Sequence, residues 1–256
     1  MEKNINKKYN IPKTIIFNNW PNIILNTCEL EKIGIGHDGI VFRYDDQAIK
    51  INKNNLDILK EKNLMTFNKL LYFMKELSLK RIVNPSGAVH DENGVYTGYS
   101  MKFFKDITKN GSLPNYIKVG NFTCIQMIYS LMDLEEDFNE LTKHRVAVRD
   151  INRGSYIFSE DFLHICDMDK FDILSDKSLG AENANKEALN FTIAKLLYYL
   201  MIAGKNLDKS QLRQLSNWIK KSANSRTFIK ELSRELPNDN TPLSEYADVK
   251  VKKIML

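Results

Sequence analysis

The stretch "GIGHDGIVFRYDDQAIKI", residues 34–51, decides how this chain is read. Residues 34–41 fit G-x-G-x-x-G-x-V, with Gly34, Gly36, Gly39 and Val41 at the fixed positions. Glycine leaves the space of a Cβ open and frees φ, so a strand-turn-strand backbone can come close to phosphate oxygens. A plain glycine-containing hairpin has the same pattern, and the residues that follow must separate the two. If Asp45 and Asp46 form a two-residue turn, Tyr44 pairs with Gln47, Arg43 with Ala48, Phe42 with Ile49 and Val41 with Lys50. Alternation then puts Val41, Ala48 and Lys50 on one face of the sheet. Two small apolar side chains there suit a flat base, and an ammonium suits its phosphates. A lone lysine is ordinarily a solvated surface charge; its place beneath the glycines favours the phosphate reading.

Outward from this hairpin, residues 1–28 are rich in Asn, Lys and Ile and weakly periodic, and read as an N-terminal extension with one short strand at "TIIF". Strands continue to Ile51. In "LDILKEKNLMTFNKLLYFMKEL", Leu56, Leu59, Asn63, Phe67, Leu70 and Met74 recur at helical spacing and predict an amphipathic helix. After "NPSG", the run "AVHDENGVYTGYSMKFF" predicts a hairpin turning at Asn93-Gly94. From Lys105 the pattern is helical. "IQMIYSLMDLEEDFNEL" is amphipathic, and "ALNFTIAKLLYYLMIAG" is apolar nearly all round, a buried helix stopped at Gly204. Two further helices are expected over 208–222 and 225–235. This order predicts an α+β chain of two unequal lobes, 29–104 and 105–237, with a tail over 238–256.

Composition narrows the function classes. A chain of 256 residues, 43% hydrophobic and 27% charged, buries a substantial core without staples. Its net charge of +5 is spread over scattered lysines, which argues against a nucleic-acid surface. Cys28, Cys124 and Cys166 show no CxxC spacing and leave an odd thiol, which points to a reducing compartment. The expected address is the cytoplasm, or delivery by a route without an N-terminal signal. The four histidines are dispersed and suggest no zinc site, and no apolar run is long enough to span a membrane.

Two later segments complete a pattern. "VRDINRGSYI" sets Arg149 and Asp150 ahead of Ser155, and "LHICDMDKF" sets Asp167 at the end of a short apolar run. With the glycine loop and "AIK" at 48–50, in this order, the chain resembles the protein-kinase-like superfamily, above all small bacterial Ser/Thr kinase-like proteins. The resemblance covers roughly residues 29–235 and implies a bilobal fold, with an antiparallel-sheet lobe bearing one helix and a mostly helical second lobe. It implies ATP and Mg2+ as cofactors. Lys50 would hold the α and β phosphates, kept extended by Glu61, with Asp57 a shorter candidate for the same pairing. Met101 would border the adenine, and Lys102, Phe103 and Phe104 would form the hinge. The nucleotide-binding set is then Gly34, Gly36, Gly39, Val41, Ala48, Lys50, Glu61, Met101 and Phe103. Asp150 would orient a substrate hydroxyl and accept its proton, and Asn152 would donate to the transferred phosphate. Asp167 would hold magnesium, with Ser155 where the family has a metal-binding asparagine, and Asp169 a possible second carboxylate.

The departures matter. Val148 replaces a histidine, Met168-Asp169 replaces Phe-Gly, and Ser155 is shorter than asparagine by about one bond, which at a metal ligand costs on the order of 10²-fold in rate. Arg149 would pair with a phosphorylated Ser175 or Ser178, or, more ordinarily, with a buried carboxylate. The segment from Lys170 to Phe191 lacks Ala-Pro-Glu and is short, so the chain also resembles small-molecule kinases such as the aminoglycoside and choline kinases. The expected activity is transfer of the γ-phosphate of ATP to a hydroxyl on a protein or small molecule. Three alternatives stay open: a pseudokinase serving as a nucleotide-regulated interaction module, a small-molecule kinase and an AMP transferase.

Overall fold

The structure, a computed structural model, describes residues 11–17, 23–36, 39–53, 61–104, 123–149, 151, 155–159, 162–166, 171–175, 179–202 and 208–211, with 213, 214, 217, 234, 242 and 245. The chain is α+β and divides into two compact units, residues 1–78 with 83–104, and residues 79–82 with 105–256.

The first unit is built on an antiparallel sheet. Its strands are β1 (Thr14–Phe17), β2 (Ile23–Asn26), β3 (Glu31–Ile35), β4 (Gly39–Tyr44), β5 (Gln47–Asn52), β6 (Pro85–Asp91) and β7 (Tyr96–Lys102), in the order β2-β1-β6-β7-β5-β4-β3. The described residues of the 1–28 segment add two strands to this sheet, the expected one at "TIIF" and a second at Ile23–Asn26. The reason is hydrophobic. Ile11, Ile15 and Leu25 are buried in one cluster with Ile40, Phe42, Ile49, Ile51 and Val89. β1 is held there by pairing with β6, Ile16 opposite His90.

The Asp45-Asp46 turn forms as expected, with Asp45 at φ 50. So does the hairpin at Asn93-Gly94, where Gly94 has φ 76 and the Asp91 carboxylate accepts from the N–H groups of Asn93 and Val95 at 2.9 and 2.8 Å. One boundary differs. β6 starts at Pro85, inside the "NPSG" expected to precede it, because a proline is tolerated as the first residue of a strand and the ladder shifts register between Pro85 and Gly87. Helix α1 (Glu61–Glu76) buries Leu70 and Met74 and packs on β6; residues 54–60, with Leu56, Asp57 and Leu59, lie outside the described residues.

In the second unit, helix α2 (Cys124–Lys143) begins in a capping box, Thr123 and Gln126 each bonding the other's main chain. It buries Leu131, Leu134, Phe138 and Leu141 and packs against α3 (Gly180–Ile202), which starts earlier than its apolar run because Glu182 and its neighbours supply a polar first turn. Two short antiparallel pairs complete the described part: β8 (Val146–Val148) with β11 (Phe171–Ile173), and β9 (Tyr156–Ser159) with β10 (Phe162–Ile165). The helices expected over 208–222 and 225–235 fall largely outside the described residues, as does the 238–256 tail apart from Glu245 and from Pro242, which bridges Thr123. No helix among the described residues is long and apolar enough to cross a membrane.

Residues 79–82 belong to this second unit through charge. The buried Asp137 carboxylate accepts from three successive main-chain N–H groups, Lys80 at 2.9 Å, Arg81 at 2.6 Å and Ile82 at 2.9 Å. Arg81 lies 3.6 Å above the Phe162 ring and donates from Nε to Asp133 at 2.7 Å, while Lys80 reaches Glu136 at 2.6 Å. Burial pushes the Asp137 carboxyl above its ordinary value, against the opposing pull of the three N–H donors.

Candidate functional site

Strand pairing fixes the first half of the site. β4 and β5 pair in the expected register, Val41 opposite Lys50 and Arg43 opposite Ala48. β7 lies on the other side of β5, with Ala48 opposite Met101 and Lys50 opposite Tyr99. Opposed residues share a face, so Val41, Ala48, Lys50, Tyr99 and Met101 all look away from the face that carries Ile40, Phe42, Ile49 and Ile51 into the core. Lys50 is only 7% exposed, its stem laid along the sheet and its ammonium 5.9 Å from the centre of the Tyr99 ring.

The glycines differ in their reasons. A Cβ on Gly39 would come within 2.7 Å of the Ile51 carbonyl oxygen and 3.3 Å of Lys50 Cε, so packing within the chain demands glycine there. A Cβ on Gly34 or Gly36 would meet nothing closer than 3.8 Å, and neither residue has a left-handed φ. Nothing among the described residues requires those two to be glycine, and the space they leave is of the kind a phosphate uses. Gly36 closes the turn by donating its N–H to the Gly39 carbonyl at 2.9 Å, and its own carbonyl accepts from Lys53 Nζ at 2.5 Å.

At the expected hinge, Phe103 donates its N–H to the Asp46 carbonyl at 2.8 Å, and the Arg43 guanidinium covers its ring at 4.6 Å. That donor is thus engaged within the sheet. Glu61 is the first residue of α1; its side chain lies outside the described residues, so the expected pairing with Lys50 does too. Sequence reading missed Gly98. A Cβ there would sit 1.9 Å from the Lys50 carbonyl oxygen, so Gly98 is what lets β7 close on the strand that carries the lysine. A glycine inside an alternating strand is the signal that was available.

In the second unit four of the five residues expected to carry chemistry, Asp150, Asn152, Asp167 and Asp169, lie outside the described residues, and the fifth, Ser155, lies within them. Their neighbours are firmly held. Ser155 is 1% exposed, and its carbonyl accepts from the N–H of Cys166, the residue before Asp167, at 2.8 Å. The β9–β10 hairpin thus brings the end of one motif beside the start of the other. Arg149 pairs with Asp172 at 2.7 Å, and that carboxylate is 53% exposed rather than buried. β8 and β11 pair with Ala147 opposite Asp172, which puts the two side chains within reach.

Asn185 of α3, also missed, holds β8 from behind. It is buried, accepts from the Val148 N–H at 2.8 Å, and donates to the Val146 carbonyl at 2.9 Å and to Thr142 Oγ1 at 2.8 Å. Replacing Asn185 by alanine leaves a buried donor and acceptor on β8 unpaired and should lower stability by about 2–3 kcal/mol. Urea unfolding measures it; a loss under about 0.5 kcal/mol would mean that water or a rearranged neighbour takes over these bonds.

No protein-family model matches the chain, and neither does any curated protein, so the functional reading rests on its own residues.

Proposed function

We propose that this chain is an ATP- and Mg2+-dependent phosphotransferase of the protein-kinase-like fold, moving the γ-phosphate of ATP to a hydroxyl of a protein or a small molecule. The observation that supports it most is the shared sheet face. Val41, Ala48 and Met101 offer a flat apolar surface for a base, Lys50 stands on that face, and beside it Gly34 and Gly36 leave room that no packing among the described residues needs.

In this reading Lys50 binds the α and β phosphates and Glu61 holds it extended. Asp167, with Asp169 and the Ser155 hydroxyl as further oxygen donors, would hold magnesium, which would neutralise the phosphates. Asp150 orients the acceptor hydroxyl and takes its proton, and Asn152 donates to the phosphate in transit. Arg149 obtains its partner from Asp172 within the chain.

The test is incorporation of label from ATP, tagged at the γ or the α phosphate, into the protein itself or into casein, with Mg2+ and with Asp150→Ala and Asp167→Ala proteins alongside. Incorporation from the γ position that disappears in both variants is expected. Incorporation only from the α position would replace phosphate transfer by AMP transfer. The burial of Ser155 favours one second reading, a pseudokinase that binds nucleotide to regulate a protein interaction, since a serine closed to water offers a metal little access. Its signature is Mg2+·ATP raising the melting temperature with no label transferred from either position.

A further inference from the structure

The glycine turn has uneven support. Its far limb is packed, Gly39 lying against the main chain of β5. Its near limb is not: among the described residues the nearest atom to a Cβ built on Gly36 is the Gly39 carbonyl oxygen, at 3.8 Å. A glycine with so little around it loses much conformational freedom when fixed. What holds it, among the described residues, is one hydrogen bond within the turn and one from outside, Lys53 Nζ to the Gly36 carbonyl at 2.5 Å. Lys53 sits on the bend that directly follows β5, the strand that carries Lys50.

We infer that Lys53 is a positioning residue that latches the near limb of the glycine turn at Gly36, and so preorganises it for the phosphates of a nucleoside triphosphate. The nucleotide half of this inference rests on the function proposed above; the latch itself does not. Gly36 is held before the ligand arrives, which removes part of the entropy cost of binding. A charge-assisted bond to a carbonyl suits the task, because it is stronger than a bond between neutral groups. Arginine can replace it as a donor, and methionine, of similar length, cannot.

The experiment compares wild type, Lys53→Met and Lys53→Arg in two measurements on the full chain. Hydrogen–deuterium exchange of the peptide spanning residues 30–42, without nucleotide, should be faster in Lys53→Met and near wild type in Lys53→Arg. Equal exchange in all three proteins overturns the latch. Mg2+·ATP titration should show affinity about fivefold weaker in Lys53→Met, the equivalent of one modest hydrogen bond, with recovery in Lys53→Arg. Affinity unchanged in Lys53→Met, with exchange accelerated, overturns preorganisation. Accelerated exchange in a protein whose wild type binds no nucleotide overturns the proposed function and leaves the latch standing. Matching melting temperatures show that Lys53→Met is folded.

Discussion

Replacing Gly98 by alanine should cost the protein about 3 kcal/mol of stability, near the upper end for overpacking. The added carbon would lie 1.9 Å from the carbonyl oxygen of Lys50, 2.9 Å from its carbon and 3.1 Å from Ile51 Cα. All three are main-chain atoms at the centre of the sheet and cannot swing aside. β7 must move off β5, the strand that carries Lys50, and the face the two strands share is disrupted. Nucleotide affinity, if present in wild type, should therefore fall further than the loss of stability alone accounts for. Gly94→Ala is the matched comparison. Its site is open, with nothing within 4 Å of the added carbon, but its φ of 76° is left-handed, so only backbone strain of about 1–2 kcal/mol is expected. Thermal unfolding of the two proteins decides the matter. A Gly98→Ala protein as stable as wild type would falsify the close approach.

Asp137→Ala should be about as damaging, because it strips the acceptor from the N–H groups of Lys80, Arg81 and Ile82 at once. Leaving such donors buried and unpaired costs about 1–3 kcal/mol for a single group, so a loss of about 3–5 kcal/mol is expected for the set. Asp137→Asn should lose less. Its one oxygen can still accept from Arg81 and Ile82, while its amide faces the N–H of Lys80. The pH dependence has a definite sign. Burial raises the Asp137 carboxyl's pKa, so the folded state favours the protonated form. That contribution is full below the ordinary aspartate value near 3.9 and is lost as pH rises through the raised value. The stability gap between wild type and Asp137→Asn should therefore narrow as the pH is taken upward from about 4. Urea unfolding of both proteins across that range measures it, and a gap that widens with pH would reverse the assignment.

What was legible in the sequence was local. The Asp45-Asp46 turn and strict alternation around it give the β4–β5 register residue by residue, and Asn93-Gly94 gives the second hairpin, because turn chemistry and the period of two leave little choice. The burial of Leu70 and Met74 in α1 and of Leu134, Phe138 and Leu141 in α2 follows from helical spacing. What was hidden depends on partners far away in the chain. β1 reads as a stray strand until β6 supplies its ladder. Asp137 reads as one more charge on an acidic helix until residues 80–82 arrive, and Asn185 as an ordinary polar residue until β8 lies beside it. At the candidate site the sequence gives residue types in order, and the sheet supplies the fact that Met101 joins Ala48 on the face of Lys50.

The polypeptide passes between its two units three times, after Ser78, after Ile82 and after Phe104. On a ribosome this imposes a waiting period. Ile82 emerges 55 residues before the carboxylate that will take its N–H. At ordinary rates of synthesis that interval is roughly 3–10 s, long compared with helix or hairpin formation. Throughout it, the N–H groups of Lys80 to Ile82 lack the acceptor they take in the fold, while the strands on either side are free to pair. The strands of the first unit can therefore pair before Asp137 has been made, and its three hydrogen bonds to residues 80–82 form only afterwards.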